Sequence, residues 1–198
     1  MAQKPRKRQT EDVPTAKGRF LAPLTTSRVD FLKNGSDDWL RDTIYRLVQA
    51  LARLVACREA FGKELGLTGS QFTILMGVAY RQGESGITIT SLSSYIGLVS
   101  THVTTEVGRL IGKDLLIKRP NKDDGRSVLI SLSRRGEEAV RQVSPMVRNV
   151  NDLLFRNIDC EQLATVNAFA STLLTNSEYA LARIRIIEAA RQEGYPSL

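Results

Sequence analysis

Apolar residues recur at helical spacing along most of this chain. From Leu40 they fall at Ile44, Leu47, Leu51 and Leu54, with Val48 and Val55 widening the stripe. Steps of three and four residues put them on one face of a long amphipathic helix, running to about Lys63 and stopped by Gly66. Ser36-Asp37-Asp38 supplies N-cap chemistry at its start. Thr68 or Ser70 caps a second helix through Phe72, Leu75, Met76 and Tyr80, closed by Gly83 and Gly86. Leu92 and Ile96 mark a short helix over Thr90–Ile96, ended by Gly97. Val103, Val107 and Leu110 form the inner face of a helix from Ser100 to about Lys113. The period then changes. Leu115 to Lys118 reads as a strand, and Asn121-Lys122-Asp123-Asp124-Gly125-Arg126 is turn chemistry. Val128, Ile130 and Leu132 alternate with Ser127, Leu129 and Ser131, which predicts a returning strand with one buried face. Ser133 caps a further helix, which Pro145 should bend or split near Val143. Asp159 caps a final long helix carrying Leu163, Val166, Ala170, Leu173, Leu181, Ile184 and Ile187.

This order predicts a mostly α protein with a small β-hairpin wing directly after a helix-turn-helix, its long first helix suited to pairing between subunits. The expected division is a flexible basic arm over 1–36, a helical lobe from 37–66 and 134–191, the winged lobe over 67–133, and a tail over 192–198. With 42% apolar residues in 198, a core is within reach. The net charge of +7 favours a polyanion, nucleic acid or an acidic membrane surface, or serves solubility alone. In residues 1–36, eight basic groups oppose Glu11, Asp12 and Asp30, while Pro5, Pro14 and Pro23 with Gly18 and Gly35 discourage a helix. Such an arm either tracks phosphates or is a solubilising tail. The start of the chain has no secretory pattern, and the apolar runs are too short for a bilayer. Cys57 and Cys160, the two cysteines, have no zinc spacing and form no disulfide framework. The expectation is a cytoplasmic protein with no membrane partner.

The stretch from Thr90 to Leu132 carries the chemistry: short helix, tight turn, helix, hairpin. Its second helix gathers Ser100, Thr101, His102, Thr104 and Thr105 on the outer side, with Arg109 beyond them. Hydroxyls and an imidazole suit base edges and thymine methyls in a major groove, and the helix N-terminus favours phosphate. Lys113, Lys118, Arg119, Lys122, Arg126, Arg134 and Arg135 flank it. Cations there supply affinity more than sequence choice. Arg126 stands at the hairpin tip, within reach of a minor groove or a phosphate, and Asp124 is placed to orient it. Each hydroxyl alone reads as a solvated position or a cap; the whole face followed by a basic hairpin points to double-stranded DNA.

Residues Ile87 to Gly136, ITITSLSSYIGLVSTHVTTEVGRLIGKDLLIKRPNKDDGRSVLISLSRRG, resemble the MarR (multiple antibiotic resistance regulator) family. The resemblance lies in Val103-Thr104, in Asp124-Gly125-Arg126 and in the strand exit Ile130-Ser131-Leu132-Ser133, with a weaker likeness over about residues 37 to 190. It implies a winged helix-turn-helix plus a long-helix dimerisation lobe, in which the first helix and the two last ones pair. It also implies a homodimer reading a palindrome, a repressor released by a small aromatic or anionic effector held between the lobes. Val99 stands where the family often has a Ser or Thr cap, so Ser100 is expected to take that role. Thr105 stands where a basic reader is frequent, so sequence preference does not carry over. Asp114 replaces the usual helix-ending Gly and tolerates left-handed backbone.

An effector pocket is expected between the first helix, the second and the helix before Pro145. Trp39, Tyr45, Arg46, Arg53, Arg58, Phe72 and Met76 are its candidate lining, an arginine holding the effector's anion. Each of them has a plainer reading as core, dimer interface or solvated helix face. Arg58 beside Cys57 would favour a thiolate, against a buried inert thiol. No Gly-rich phosphate loop, metal-spaced cluster or nucleophile elbow appears, and the one histidine, His102, lies in the recognition helix. The expectation is therefore a non-enzyme without cofactor or metal. Two rivals remain: a sequence-neutral architectural DNA binder and a winged-helix protein-interaction module.

Overall fold

The computed structural model describes residues 20–122 and 124–193, so residues 1–19 of the predicted arm, Asp123 and residues 194–198 lie outside the description. The described residues divide into two compact units, the first ending at Ala56 and the second beginning at Cys57.

In the first unit, the described part of the arm has local order. A single 3-10 turn spans Val29–Phe31, and Lys33 and Ser36 pair across a two-residue turn. Asn34 and Gly35 there both have positive φ, 53° and 77°, a combination that an Asn-Gly pair accepts readily. Helix α1, Asp38–Glu64, begins directly afterwards. Asp37 at its entrance is fully buried. Its carboxylate accepts the Thr25 backbone N–H and the Thr25 hydroxyl, each at 2.6 Å, and pairs with the Arg41 guanidinium. These bonds draw residue 25 back to the start of the helix. Along α1, Leu40, Leu47 and Leu54 are half-buried, while Ile44, Val48, Leu51 and Val55 stay exposed.

The second unit builds the winged lobe. Helix α2, Gly69–Arg81, starts at Thr68, whose hydroxyl accepts from Gln71 N–H while the Gln71 side chain returns to the Thr68 N–H. This is a reciprocal capping box. A two-residue strand β1, Ile87–Thr88, leads into α3, Ile89–Ile96, capped by the Thr88 hydroxyl. Gly97, at φ 69°, ends α3 in left-handed backbone. Helix α4, Ser100–Gly112, follows, then β2, Leu116–Pro120, and β3, Val128–Leu132. The sheet is antiparallel in the order β1-β3-β2, with Ile130 opposite both Ile87 and Lys118. The expected hairpin is therefore the outer part of a three-stranded sheet. β3 is its central strand, so the expected alternation is blurred: Ile130 and Ser131 are both buried. Ile74, Leu75, Val78, Leu92, Val103, Leu110, Leu116 and Ile130 form one core with Val107. Burying each Leu or Ile fully stabilises the fold by about 1.5–3 kcal/mol before entropy is counted.

Ser133 caps α5, Arg134–Leu154, by accepting from Gly136 N–H. The helix runs unbroken through Pro145, so the expected split near Val143 does not occur. Proline removes one donor, and Arg141, whose carbonyl loses it, is an exposed residue. Val143 instead packs with Phe61, Phe72 and Met76 in a second cluster. Asp159 caps α6, Cys160–Gln192, with Gln162 closing a capping box; none of its 33 residues is buried. No helix among the described residues is long and apolar enough to cross a membrane.

Two outcomes follow from this packing. A Cβ at Gly136 would land on the Leu115 carbonyl oxygen, so backbone meets backbone. Gly136→Ala should cost about 1–3 kcal/mol, read as a lower urea midpoint, and an unchanged midpoint would contradict the contact. The Thr25 bonds, led by the hydroxyl, with Arg41 behind them, hold the Asp37 carboxyl below its ordinary value of 3.8. Because the folded value is the lower one, this stabilisation is complete above pH 3.8 and fades as pH falls through the folded value. Exchange protection of the Thr25 amide should therefore be flat at neutral pH and collapse in acid. Asp37→Asn should show no such acid limb.

Candidate nucleic-acid interface

Helix α4 is divided lengthwise. Val103, Glu106, Val107 and Leu110 face inward and are buried. Ser100, Thr101, His102, Thr104, Thr105 and Arg109 are exposed, as the sequence pattern predicts. The spacing explains the division: residues 103, 107 and 110 recur on one helical face, and the hydroxyl-bearing residues fill the other. The cap differs from expectation. Val99 is the N-cap and provides no side-chain bond, while Ser100 is the first helical residue. Val99 carries no acceptor, and Ser100 lies one position too late to fold back. The first-turn N–H groups of α4 thus have no capping side chain.

The two threonines on this face are not free hydroxyls. Thr104 Oγ1 donates to the Ser100 carbonyl at 2.8 Å, and Thr105 Oγ1 donates to the Thr101 carbonyl at 3.0 Å. With their protons used inside the helix, each presents a methyl group and an accepting oxygen. Such a face suits thymine methyls and base amino groups. Arg109 Nη1 meets Glu106 Oε1 at 2.5 Å while most of its side chain is exposed.

The wing adds cations. Lys118 and Arg119 stand exposed on β2, and Lys122 and Arg126 in the turn beyond it. Asp124 shapes that turn: its carboxylate accepts the Arg126 backbone N–H at 3.1 Å, and its carbonyl accepts Ser127 N–H at 2.9 Å. Asp124 thus orients the Arg126 backbone, a more indirect role than aiming the guanidinium. Asn121 Nδ2 closes the turn on Ser127 Oγ at 2.8 Å. Lys113, among the expected flanking cations, donates to the Gly66 carbonyl at 3.1 Å. Asp114, at φ 59°, takes the left-handed conformation expected of it.

The candidate effector residues are placed differently. Phe72 and Met76 are core side chains of the second unit, packed with Phe61, Val143 and Cys57. The Phe61 and Phe72 rings lie 5.6 Å apart. Filling a core and lining a cavity require the same apolar period, and here the core takes both residues. In the first unit, Trp39, Tyr45, Arg46 and Arg53 are exposed, and Lys33 Nζ sits 4.2 Å from the centre of the Trp39 ring. The second unit has a groove of about 450 Å³ between the end of α1 and the start of α5, lined among others by Lys113, Arg135, Glu64 and Glu138. It lies between two of the three helices expected to enclose a pocket, but none of the expected lining residues borders it. Arg58 and Cys160 are exposed, and Cys57 is half-buried.

Residues 57–143 match the family model described as transcriptional regulator SarA/Rot. Comparison with curated proteins returns no match. Among solved structures, AbsC, a MarR family transcriptional regulator from Streptomyces coelicolor, superposes with TM-score 0.63 at 16% identity, over 71% of this chain and 95% of its own. An E. coli MarR mutant complexed with operator DNA gives 0.56 at 22% identity, over 67% and 94%. BpsR of Bordetella bronchiseptica, whose DNA binding is regulated by 6-hydroxynicotinic acid, gives 0.54 at 18%, over 67% and 98%. This chain therefore has the winged helix-turn-helix fold seen in the MarR family regulators, and its residues 57–143 are similar to the SarA/Rot transcriptional regulators.

Proposed function

We propose that this protein is a sequence-specific, DNA-binding repressor that acts in the cytoplasm as a homodimer on a palindromic operator. The observation that carries the reading is the outer face of α4 beside the basic wing. Ser100, Thr101, His102, Thr104 and Thr105 would meet base edges or adjacent phosphates. Arg109, Lys118 and Lys122 would contact the backbone, and Arg126 would anchor the wing. The work proposed is binding, without catalysis or a cofactor. The operator complex of the E. coli MarR mutant supports the same use of this fold.

Support for a dimer comes from α6. Leu163, Val166, Leu173, Leu181 and Ile184 recur along one side of it and are each about half exposed. A helix of that length spans about 50 Å, and an apolar stripe of that size in water marks an interface. A two-fold partner would set the recognition helices one DNA turn apart, about 34 Å. An effector response is supported by BpsR, whose DNA binding is regulated by a small aromatic acid.

The test is selection of bound duplexes from a random-sequence library. An enriched palindrome with half-sites one turn apart is expected; retention without any enriched motif would refute sequence specificity. On the selected site, Thr104→Ala should cost about 1–3 kcal/mol and spare random DNA. Arg126→Ala should weaken both alike. Equal losses for Thr104→Ala on the two duplexes would make it a positioning contact.

A further inference from the structure

We infer that Glu106 is a positioning residue for the DNA-binding face: its buried carboxylate holds the Arg109 guanidinium at the outer edge of α4 and ties that helix to the cap of α2. This inference rests on the DNA-binding reading of α4.

Glu106 sits at an inward position of α4, between Val103 and Leu110, and is 4% exposed. Desolvating a carboxylate among apolar side chains is costly unless its oxygens are paired. Both are paired here. Oε1 takes Arg109 Nη1 at 2.5 Å, and Oε2 takes Gln71 Nε2 at 2.9 Å. Gln71 is itself buried, and its Oε1 accepts the Thr68 N–H at 3.2 Å. A continuous chain of bonds therefore runs from the Thr68 backbone through Gln71 to Glu106 and out to Arg109. Among the described residues no buried side-chain polar atom lacks a partner.

Stability does not explain this arrangement, since an apolar side chain at position 106 would extend the stripe of Val103, Val107 and Leu110 at no desolvation cost. What the carboxylate adds is direction. One edge of the guanidinium is fixed, and 63% of the Arg109 side chain remains exposed, with donors left over for a phosphate. Setting a mobile arginine in place before binding lowers the entropy lost on contact. The relay also fixes the angle of α4 against α2 through a polar contact, which has a preferred geometry that apolar packing lacks.

The experiment compares the full chain with Glu106→Gln, Arg109→Ala and the double variant. Binding is measured on the selected operator and on a random duplex between 50 and 200 mM salt. Net charge alone would make Glu106→Gln bind more tightly, because it removes an anion and releases Arg109. Positioning requires the opposite. Glu106→Gln should weaken operator binding about tenfold, reduce the salt slope by about one as Arg109→Ala does, and add nothing to Arg109→Ala in the double variant. Glu106→Leu should show the same loss of binding, measured well below a thermal midpoint that falls because the buried Gln71 amide is left without its acceptor. Unchanged or tighter binding by Glu106→Gln, or additive losses in the double variant, would overturn the inference. A wild-type chain that binds no duplex would overturn the DNA reading beneath it.

Discussion

The outer face of α4 is held by its inner one. Val103, Val107 and Leu110 are buried in the core with Leu92, Leu75 and Ile130, and α4 packs on α2, α3 and β2. A row of small polar groups has no means of fixing its own position: serine and threonine side chains are short and make few contacts. Their geometry is inherited from the apolar row on the far side of the helix. The sheet behaves alike, because Ile130 and Leu116 anchor the wing strands whose turn carries Arg126. Anchoring of this kind is insensitive to salt, whereas attraction between the outer cations and a polyanion is not. The lobe thus separates what holds it together from what it would hold.

Much of this was legible in the sequence because it is local. Thr68, Ser133 and Asp159 each start a helix as an oxygen-bearing cap, and Gln71 and Gln162 three residues on complete two capping boxes. The stripe of α4 and the turn around Asp124-Gly125-Arg126 are likewise written within a few residues of themselves. What escaped was non-local or ambiguous. β1 is two residues long, too short to show an alternation, and exists because β3 offers it an edge. Glu106 and Gln71 are 35 residues apart and meet only after folding. The signal for Glu106 was present, a charge inside an apolar stripe, but nothing local names its partner. Phe72 and Met76 fit a cavity wall and a core equally well by pattern, and the tilted Phe61 ring decides for the core. Asp37 and Thr25 form a contact across residues that read as loop.

The two long helices show the converse. Both carry many apolar positions, yet α6 buries none of its residues and α1 only Phe61 and Gly62. Amphipathic order in a sequence states that a face is to be covered, without saying by what. In the winged lobe the cover comes from the same unit, and on α6 it is absent among the described residues.

Ser133 is a small residue that makes three hydrogen bonds. Its N–H donates to the Leu115 carbonyl at 3.1 Å, its hydroxyl donates to the Asp114 carbonyl at 2.5 Å, and the same oxygen accepts Gly136 N–H at 2.9 Å. One side chain therefore clamps the left-handed exit of α4 to the first turn of α5, with Gly136 pressed against the same stretch of backbone. The end of α4 and the root of α5 are thus bound to each other through both side chain and backbone. A displacement of the first turn of α5 would therefore reach the exit of α4 through two hydrogen bonds and a close backbone contact.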